Sequence, residues 1–247
     1  MTATYAIFGA TSGIARAVIA ELAKQGNALV LAGRNLPEVE RIAADAHLRY
    51  GVPTYSLAFD ARDLASHGAV FAAAVACTGR LDGLLVAFGT LTDQKQAEQN
   101  VAAAEAMIVS NYVGVVSLVT HAANYFERER HGVIGVISSV AGDRGRQSNY
   151  VYGSAKAGVT AFCQGLRQRL SKSGVRVVTI KPGIVDTPMT YGMNLPRLLL
   201  ARPERVARDI VRALHRADGD IYTPFFWRFI MLGIRMLPEP IFKRLSL

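Results

Sequence analysis

A tyrosine and a lysine four residues apart, Tyr152 and Lys156, form the pattern in this sequence that most directly suggests chemistry. In a helix this spacing places both side chains on one face. A free phenol has a pKa of about 10, too high for efficient base chemistry at neutral pH. A nearby ammonium group would lower the pKa of Tyr152 and make it a better proton donor or acceptor. The same spacing also occurs on solvated helices, so the pair alone leaves both interpretations open.

Ser139 follows the apolar run Val133 to Ser138, which is typical of a buried strand. Ligands of open α/β sheets bind at the carboxyl ends of the strands. The hydroxyl of Ser139 is therefore placed to hold a substrate carbonyl. Two serines after a strand are also common in a helix cap or a turn.

A glycine-containing turn follows the first predicted strand, with the spacing G-x-x-x-G-x-A from Gly9 to Ala15. Glycines between a strand and a helix permit a tight turn and a close backbone approach to phosphate, and the helix N-terminus offers free N–H groups. The pattern predicts a dinucleotide site, although glycines also form plain turns. Its candidate cofactor contacts are Gly9, Thr11, Ser12, Gly13 and Ile14.

Two charged residues follow the next strands along the chain. Arg34 comes after the second strand, where an acidic residue would bind a ribose 2′-hydroxyl and an arginine suits a 2′-phosphate. Arg34 therefore favours NADP(H), with NAD(H) still possible, unless it is only a solvated residue that opens a loop. Asp60 ends the third strand and would hydrogen-bond an adenine amino group or cap the following helix.

Apolar runs alternate with helical patterns along the chain, which predicts a single α/β domain with a doubly wound, Rossmann-type parallel sheet and helices on both faces. The segment Thr190 to Arg202 lacks a strand period and is a candidate flap, within about 188–203. The predicted strands are Thr4–Phe8, Ala28–Ala32, Thr54–Phe59, Leu84–Ala87, Val133–Ser138, Val175–Ile180 and Asp220–Thr223. The predicted helices are Ile14–Lys24, Leu36–Tyr50, Leu64–Cys77, Ala97–Phe126, Val151–Ser173 and Pro203–Arg216.

The composition excludes several classes of protein. The chain has 247 residues, 51% of them hydrophobic, which excludes a disordered chain. Its formal net charge is +9, and the segment Arg197–Leu247 has ten basic and five acidic residues, a net charge of +5. No basic recognition helix, zinc finger or aromatic RNA platform accompanies this charge, so nucleic acid is not an expected partner.

Signals for secretion, membrane crossing and metal binding are also missing from the sequence. The N-terminus does not match a secretory signal, and no apolar run reaches the roughly 18 to 20 residues of a membrane-spanning helix. Cys77 and Cys163 are too few for a disulfide framework and are expected to be free thiols. No metal site is predicted, and an exposed or capping role is expected for His47, His67, His121, His131 and His215.

Taken together and in order, these elements resemble the short-chain dehydrogenase/reductase family over roughly residues 4 to 223. The matching pieces are Gly9-x-x-x-Gly13-x-Ala15, Asp60, Asn111, Ser138-Ser139 with Gly142, Tyr152-x-x-x-Lys156, and Pro182-Gly183 followed by Val185 and Thr187. The resemblance implies an NADP(H)-dependent enzyme that interconverts a ketone and a secondary alcohol. It also implies a homodimer or homotetramer that pairs the helices around Ala97–Phe126 and Val151–Ser173.

The resemblance assigns a role to each matching residue. Tyr152 would be the general acid in ketone reduction, with Ser139 polarising the carbonyl. Lys156 would bind the nicotinamide ribose and lower the pKa of Tyr152, and Asn111 would hold a water that relays protons to Lys156. Thr187 would hold the nicotinamide carboxamide. The remaining expected cofactor contacts are Ala87, Gly89, Pro182, Gly183 and Val185.

The sequence departs from the family pattern after the fourth strand. The family usually has Asn-Asn-Ala-Gly there, and this chain has Val86-Ala87-Phe88-Gly89. Two side chains that normally brace the turn and the adenosine pocket are therefore missing. Ala15 also replaces the last glycine of the first turn.

The C-terminal segment 224–247 is apolar and basic. Phe225 to Leu237 has ten apolar residues of thirteen, and Pro238 follows. Two interpretations compete: the segment lies in a membrane interface, with Trp227 and the phenylalanines in the acyl boundary, or it packs on the protein or another subunit.

Four stretches are also similar to one subgroup, the bacterial decaprenylphosphoryl-2-keto-ribose reductases: Ala87-Phe88-Gly89, Asn111-Tyr112, Ser138 to Arg144, and the ending from Trp227 through Pro238 to Leu245. This similarity implies a lipid-linked 2-keto sugar as substrate and a cytoplasmic enzyme at the inner face of the membrane. Two alternatives stay open: a soluble reductase of a 3-oxoacyl thioester or small ketone, and a catalytically idle NADP(H)-binding regulator.

Overall fold

The computed structural model describes residues 3–192 and 196–245, and within them seven strands form one parallel sheet. The order across the sheet is β3-β2-β1-β4-β5-β6-β7, so the chain winds outward in both directions from the β1–β4 pair. This arrangement confirms the predicted doubly wound sheet. The strands are β1 (Thr4–Phe8), β2 (Ala28–Gly33), β3 (Thr54–Ala58), β4 (Gly83–Val86), β5 (Gly132–Ile137), β6 (Val175–Pro182) and β7 (Gly219–Thr223).

Helices cover both faces of the sheet, as continuously apolar strands require. On one face α1, α2 and α8 bury residues such as Val18, Val39 and Ile210 against the sheet. On the other face α3, α6 and α7 bury Phe71, Leu118 and others. The helices are α1 (Gly13–Lys24), α2 (Leu36–Tyr50), α3 (His67–Ala76), α4 (Gln94–Gln99), α5 (Val101–Ile108), α6 (Gly114–Glu129), α7 (Tyr150–Leu170), α8 (Pro203–Arg216), α9 (Trp227–Met236) and α10 (Glu239–Phe242).

The predicted helix Ala97–Phe126 is broken once, at Asn100, and contains a π-helical turn further along. Asn100 has an extended backbone, and its side chain accepts hydrogen bonds from Ala102 N and Ala103 N, so it ends α4 and caps α5. A π-helical turn, Val109–Val113, then joins α5 to α6. Such turns are frequent at functional sites, and this one contains Asn111.

The continuous helical stretch Val101–Glu129 is long and apolar enough to cross a membrane by length and composition. The expectation that no segment meets this criterion is therefore wrong. The interpretation as a membrane span is weak, because core helices of soluble folds meet the same criterion. Here 33% of the most apolar window is buried, and the buried face of the helix, with Leu118 and Val119, packs against the sheet.

Candidate active site

A cleft of about 330 Å³ opens at the carboxyl ends of the parallel strands. Ligands of doubly wound sheets bind at this edge. The cleft brings together the glycine turn, the end of β5 and the Tyr–Lys pair, which are far apart in the sequence. It is lined by Ser139 and by every predicted cofactor contact: Gly9, Thr11, Ser12, Gly13, Ile14, Arg34, Asp60, Ala87, Gly89, Tyr152, Lys156, Pro182, Gly183, Val185 and Thr187.

The glycine turn forms one end of the cleft and requires glycine for two reasons. Gly9 has a φ of +89°, and a Cβ atom on it would lie 2.5 Å from the backbone nitrogen of Phe88. A Cβ atom on Gly13 would lie 2.9 Å from the Thr187 side chain. The Ser12 hydroxyl accepts a hydrogen bond from Ala15 N and so caps α1. The first turn of α1 is thus fixed with its free N–H groups at the cleft.

Arg34 and Asp60 lie near the same end. Arg34 is exposed, lines the cleft and has no ion pair among the described residues, so it is available for an anion. Asp60 accepts a hydrogen bond from Arg62 N at 2.9 Å. The carboxylate of Asp60 therefore fixes its own turn, and the following 3₁₀ turn begins after Asp63. The expected alternative for Asp60, a helix cap, is not what the structure shows.

Two other expectations concern titratable side chains outside the cleft. His67 is fully buried, with Nδ1 3.0 Å from Ser117 Oγ and Nε2 3.0 Å from Asp60 O. The expected exposed or capping role is wrong for His67, because it joins α3 to the β3 turn and to α6. Cys163 is a free, buried thiol, and burial raises its pKa to about 12. Within the described ranges, no three His, Cys, Asp or Glu residues gather as metal ligands.

Lys156 lies fully inside the protein beneath the other end of the cleft. Its Nζ donates a hydrogen bond to Ile137 O at 2.9 Å and lies 5.7 Å from the centre of the Tyr152 ring. Burial lowers the pKa of Lys156 to about 8. Ser138 fixes the helix position, since its hydroxyl donates to Lys156 O at 2.9 Å and contacts Thr160 Oγ1.

The pKa of Tyr152 moves opposite to the sequence-based expectation. Burial raises it to about 12, and the neighbouring Ser139 hydroxyl opposes this rise only in part. The ammonium of Lys156 does not lower it, because Nζ is directed at Ile137 O and loss of water dominates around the phenol. At neutral pH Tyr152 is therefore protonated, which is the form that a proton donor requires.

Asn111 does not line the cleft and lies directly behind it. Its amide nitrogen donates to Thr90 O and Met107 O, and Oδ1 accepts from Thr90 N. A Cβ atom on Gly89 would lie 2.6 Å from Asn111 Oδ1 and 3.5 Å from Lys156 Nζ. Glycine at this position therefore lets Asn111 and Lys156 approach one another, and among the described residues Oδ1 accepts one hydrogen bond, from Thr90 N.

Several cleft residues were not anticipated from the sequence. Phe88 packs on Phe59 with the ring centres 5.3 Å apart, in the turn where the family has asparagines. Thr190 donates to Val185 O at 2.7 Å and fixes the start of the flap. For Phe59, Phe88 and Thr90 the available signal was their position shortly after a strand, whereas Met189 and Thr190 carried no such signal. The additional wall residues include Phe59, Phe88, Thr90, Met189 and Thr190.

Comparisons with known proteins match this geometry to one family. The family model described as short chain dehydrogenase matches residues 3–197. The chain belongs to the short-chain dehydrogenases. It is 40% identical over 239 residues to an uncharacterized oxidoreductase of Mycobacterium tuberculosis, covering 97% of this chain and 95% of that protein. It is 36% identical to an uncharacterized oxidoreductase of Streptomyces coelicolor, covering 97% of this chain and 94% of that protein.

Solved structures show the same fold. An alcohol dehydrogenase of the archaeon Thermococcus sibiricus, complexed with 5-hydroxy-NADP, has a TM-score of 0.82 and 21% identity over 90% of this chain and 96% of that chain. A short-chain dehydrogenase of Sphingobium yanoikuyae in complex with NADPH has a TM-score of 0.82 and 24% identity over 94% of this chain and 93% of that chain. The protein is thus an NAD(P)-dependent dehydrogenase/reductase.

Helix α9 of the dehydrogenase packs beside the Ser139 end of the cleft. Trp227 is 4% exposed and clusters with Val140 and Met231. A Cβ atom on Gly183 would lie 1.8 Å from Trp227 Nε1, so the indole occupies the side-chain position of this cleft glycine. The expectation that Trp227 lies in an acyl boundary is wrong, because the protein itself buries the indole.

Arg144, in the loop after Ser139, forms hydrogen bonds and an ion pair with the tail of the dehydrogenase. Its guanidinium donates to Ile234 O and Leu237 O, both at 2.6 Å, at the C-terminal end of α9. It also pairs with Glu239 at 3.0 Å and lies over the Phe242 ring at 3.7 Å. The position of the tail therefore depends on the loop that follows the predicted catalytic serine.

The opposite face of the tail remains exposed in the dehydrogenase. Phe229 is 62% exposed and Met236 is 74% exposed, and Phe225 packs edge-to-face on Phe229. The packing interpretation thus holds for one face of α9, and the second face is an apolar surface without a partner among the described residues. We call this surface the tail face; it comprises Phe225, Phe229, Leu232 and Met236.

Proposed function

We propose that this short-chain dehydrogenase reduces a ketone to a secondary alcohol with NADPH. In the balanced reaction, ketone, NADPH and one proton give alcohol and NADP⁺. The nicotinamide supplies the hydride when the cofactor is bound. The observation that carries the proposal is the convergence of Tyr152, Ser139 and Lys156 at one end of the cleft, with the glycine turn and Arg34 at the other.

The proton comes from this chain. Ser139 Oγ holds the carbonyl oxygen, and the Tyr152 hydroxyl donates its proton to that oxygen as the C–O bond becomes an alkoxide. The ammonium of Lys156 binds the nicotinamide ribose and offers a proton path back to Tyr152. Asn111 holds the relay water with the remaining lone pair of Oδ1, and Thr187 holds the carboxamide.

The residues at the other end of the cleft fit NADP(H). The Gly9 turn leaves room for a pyrophosphate where any side chain would collide, and the capped start of α1 supplies N–H donors. Arg34, exposed and without an ion pair among the described residues, suits the 2′-phosphate. NAD(H) lacks this phosphate and is the weaker cofactor in our proposal.

For the substrate we propose a 2-keto sugar linked to a polyprenyl phosphate. The tail face and the basic residues around it support an amphiphilic anion, since Arg228, Arg235, Lys243 and Arg244 accompany the exposed apolar side chains. The enzyme would then work in the cytoplasm, against the inner face of the membrane. We also propose a homodimer or homotetramer through α5–α6 and α7.

The deciding experiment measures NADPH consumption on two substrate sets, with Tyr152→Phe as the blank. One set contains soluble ketones and 3-oxoacyl thioesters, and the other a detergent-dispersed polyprenylphosphoryl 2-keto pentose. Turnover restricted to the lipid-linked sugar supports the proposed substrate. Turnover on soluble carbonyls alone keeps the reaction and removes the lipid-linked sugar. NADPH binding without turnover on either set would favour an idle regulator.

A further inference from the structure

A second crevice of about 530 Å³ lies beside the flap, separate in lining from the cofactor cleft. It is formed by the end of the flap, the start of α8 and the segment that leads into α9. None of its residues is a predicted cofactor contact or catalytic residue. Its lining comprises Leu198, Leu199, Leu200, Ala201, Arg202, Glu204, Arg205, Arg208, Pro224 and Phe226.

The charges in this crevice are unbalanced. Arg202, Arg205 and Arg208 are exposed and have no ion pair with any residue that the structure describes, whereas Glu204 is the single acid of the lining. Arg212 on the same helix does have a partner, Asp209 at 3.5 Å. Three neighbouring cations repel one another, and the first two also lie at the positive end of the α8 dipole. An anion in the crevice would relieve this repulsion.

The remaining lining is apolar. Leu198 is 96% exposed, and the lining also includes the partly buried Phe226 and the buried Pro224. A hydrocarbon chain would cover surface that is otherwise in contact with water. The lining thus combines one cationic and one apolar part, which is the pattern that an amphiphilic anion would satisfy.

The crevice adjoins the cofactor cleft through the flap. Ala201 N donates to Ile184 O, and Asp186 N donates to Ala201 O, both at 2.9 Å. Ala201 therefore runs beside the segment Ile184–Asp186, whose neighbours Gly183 and Thr187 line the cleft. A substrate that reaches from the cleft past the flap would meet the arginines next.

We propose that this crevice is a substrate subsite that binds a phosphate group carried on a hydrocarbon chain. Arg205 and Arg208 bind the phosphate oxygens through paired N–H donors, assisted by Arg202, and the chain lies along Leu198 and Phe226. The inference rests on the proposed function, because it extends the keto-sugar site of the cleft to the group that follows it.

The test is calorimetric binding of decyl phosphate to Tyr152→Phe, which carries no turnover. In that background the double variant Arg205→Gln/Arg208→Gln is compared with Arg212→Gln/Arg216→Gln, which removes two charges from the same helix outside the crevice. We expect at least tenfold weaker binding in the first variant and unchanged binding in the second. Equal binding in both variants, or equal loss in both, overturns the subsite.

A second arm distinguishes the two parts of the ligand. Inorganic phosphate is titrated under the same conditions and should bind at least tenfold more weakly than decyl phosphate. Equal affinity would overturn the amphiphilic ligand, since the apolar wall would then contribute nothing. NADPH affinity should be the same in all variants. If decyl phosphate binding follows the prediction while no ketone is reduced by the parent enzyme, the proposed reaction fails and the subsite stands.

Discussion

The cofactor cleft and the C-terminal tail differ in how closely their residues are packed. In the cleft, several backbone positions are closely approached by neighbouring atoms: Gly9, Gly13 and Gly89 each lack room for a side chain. In the tail, Gly233 has no atom within 4 Å of a built Cβ, and one face of α9 is exposed. The family match ends at residue 197, before α9 begins. The comparison indicates that side chains are tightly confined in the cleft, whereas the tail, which the relatives' alignments also span, keeps one open face.

The strongest test of this contrast is to add the same methyl group in both regions. Gly9→Ala forces a side chain into a positive φ and against the Phe88 backbone, so we expect a loss of about 2 kcal/mol or more in stability and of NADPH binding. Gly233→Ala lies in an open helical position and should gain up to about 1 kcal/mol. Chemical denaturation and NADPH titration measure both. Similar losses of stability in Gly9→Ala and Gly233→Ala would show that the cleft and the tail do not differ in packing.

A second test concerns the cofactor end of the cleft. Arg34→Ala should weaken NADPH binding about tenfold, since a charge-assisted hydrogen bond at an exposed position contributes about 1.5 kcal/mol. NADH binding should stay within about twofold, because NADH has no 2′-phosphate for this arginine. Arg49→Ala on α2, outside the cleft, is the control. An equal loss of affinity for NADPH and NADH would show that Arg34 does not bind the 2′-phosphate.

The pH dependence of the reaction sharpens the account of Lys156. Its pKa of about 8 means that the cation is lost as pH rises through 8. In a pH profile, kcat/KM for NADPH should therefore fall on the alkaline limb, above pH 8. Lys156→Arg keeps its charge and should show lower activity without the limb. A limb that persists in Lys156→Arg would belong to another group.

The lowered pKa of Lys156 also makes the stability of the folded protein depend on pH. The folded protein binds fewer protons than the unfolded chain between a pKa of about 8 and the ordinary value of 10.5. The stability of the wild type relative to Lys156→Met should therefore rise with pH across this window. Denaturation at several pH values measures this difference, and a fall across the window would contradict the burial of the charge.

Substitutions in the tail face should have the smallest effect on the stability of the fold. Phe229→Ser/Leu232→Ser should leave the melting temperature nearly unchanged and abolish binding to anionic vesicles, since both side chains are more than half exposed. The matched control is Leu48→Ser/Leu64→Ser, which changes two other exposed apolar side chains outside the tail and outside the proposed oligomer helices. Vesicle co-sedimentation gives the readout. If the tail-face variant sediments with vesicles as the wild type does, the membrane contact is excluded.

Local patterns predicted most of the fold and the cleft. The alternation of apolar strands and amphipathic helices was sufficient for the doubly wound sheet, and α2 and α8 begin and end where the sequence indicates. Many of the residues that line the cleft could be predicted because they follow strand ends, and the strand ends of a parallel sheet meet at one edge. Tyr152 and Lys156 lie inside α7 and were predicted from their helical spacing instead.

Features that depend on distant contacts could not be read from the sequence. The pKa of Tyr152 is set by burial, which local spacing does not show. The break of the helix at Asn100 is visible only from the extended backbone of that residue. The burial of Trp227 is visible only from its contacts with Gly183 and Val140, which are far away in the chain. The same holds for Arg144, whose contacts with α9 span ninety residues or more.

The central claim is that Tyr152 donates the proton in NADPH-dependent ketone reduction. The most direct measurement compares single-turnover NADPH oxidation by Tyr152→Phe and Tyr150→Phe, two neighbouring tyrosines of α7, of which Tyr150 is half exposed and outside the cleft. The account predicts a rate lower by about 10² to 10⁴ for Tyr152→Phe, with unchanged NADPH affinity, and a wild-type rate for Tyr150→Phe. A wild-type rate in Tyr152→Phe would contradict it.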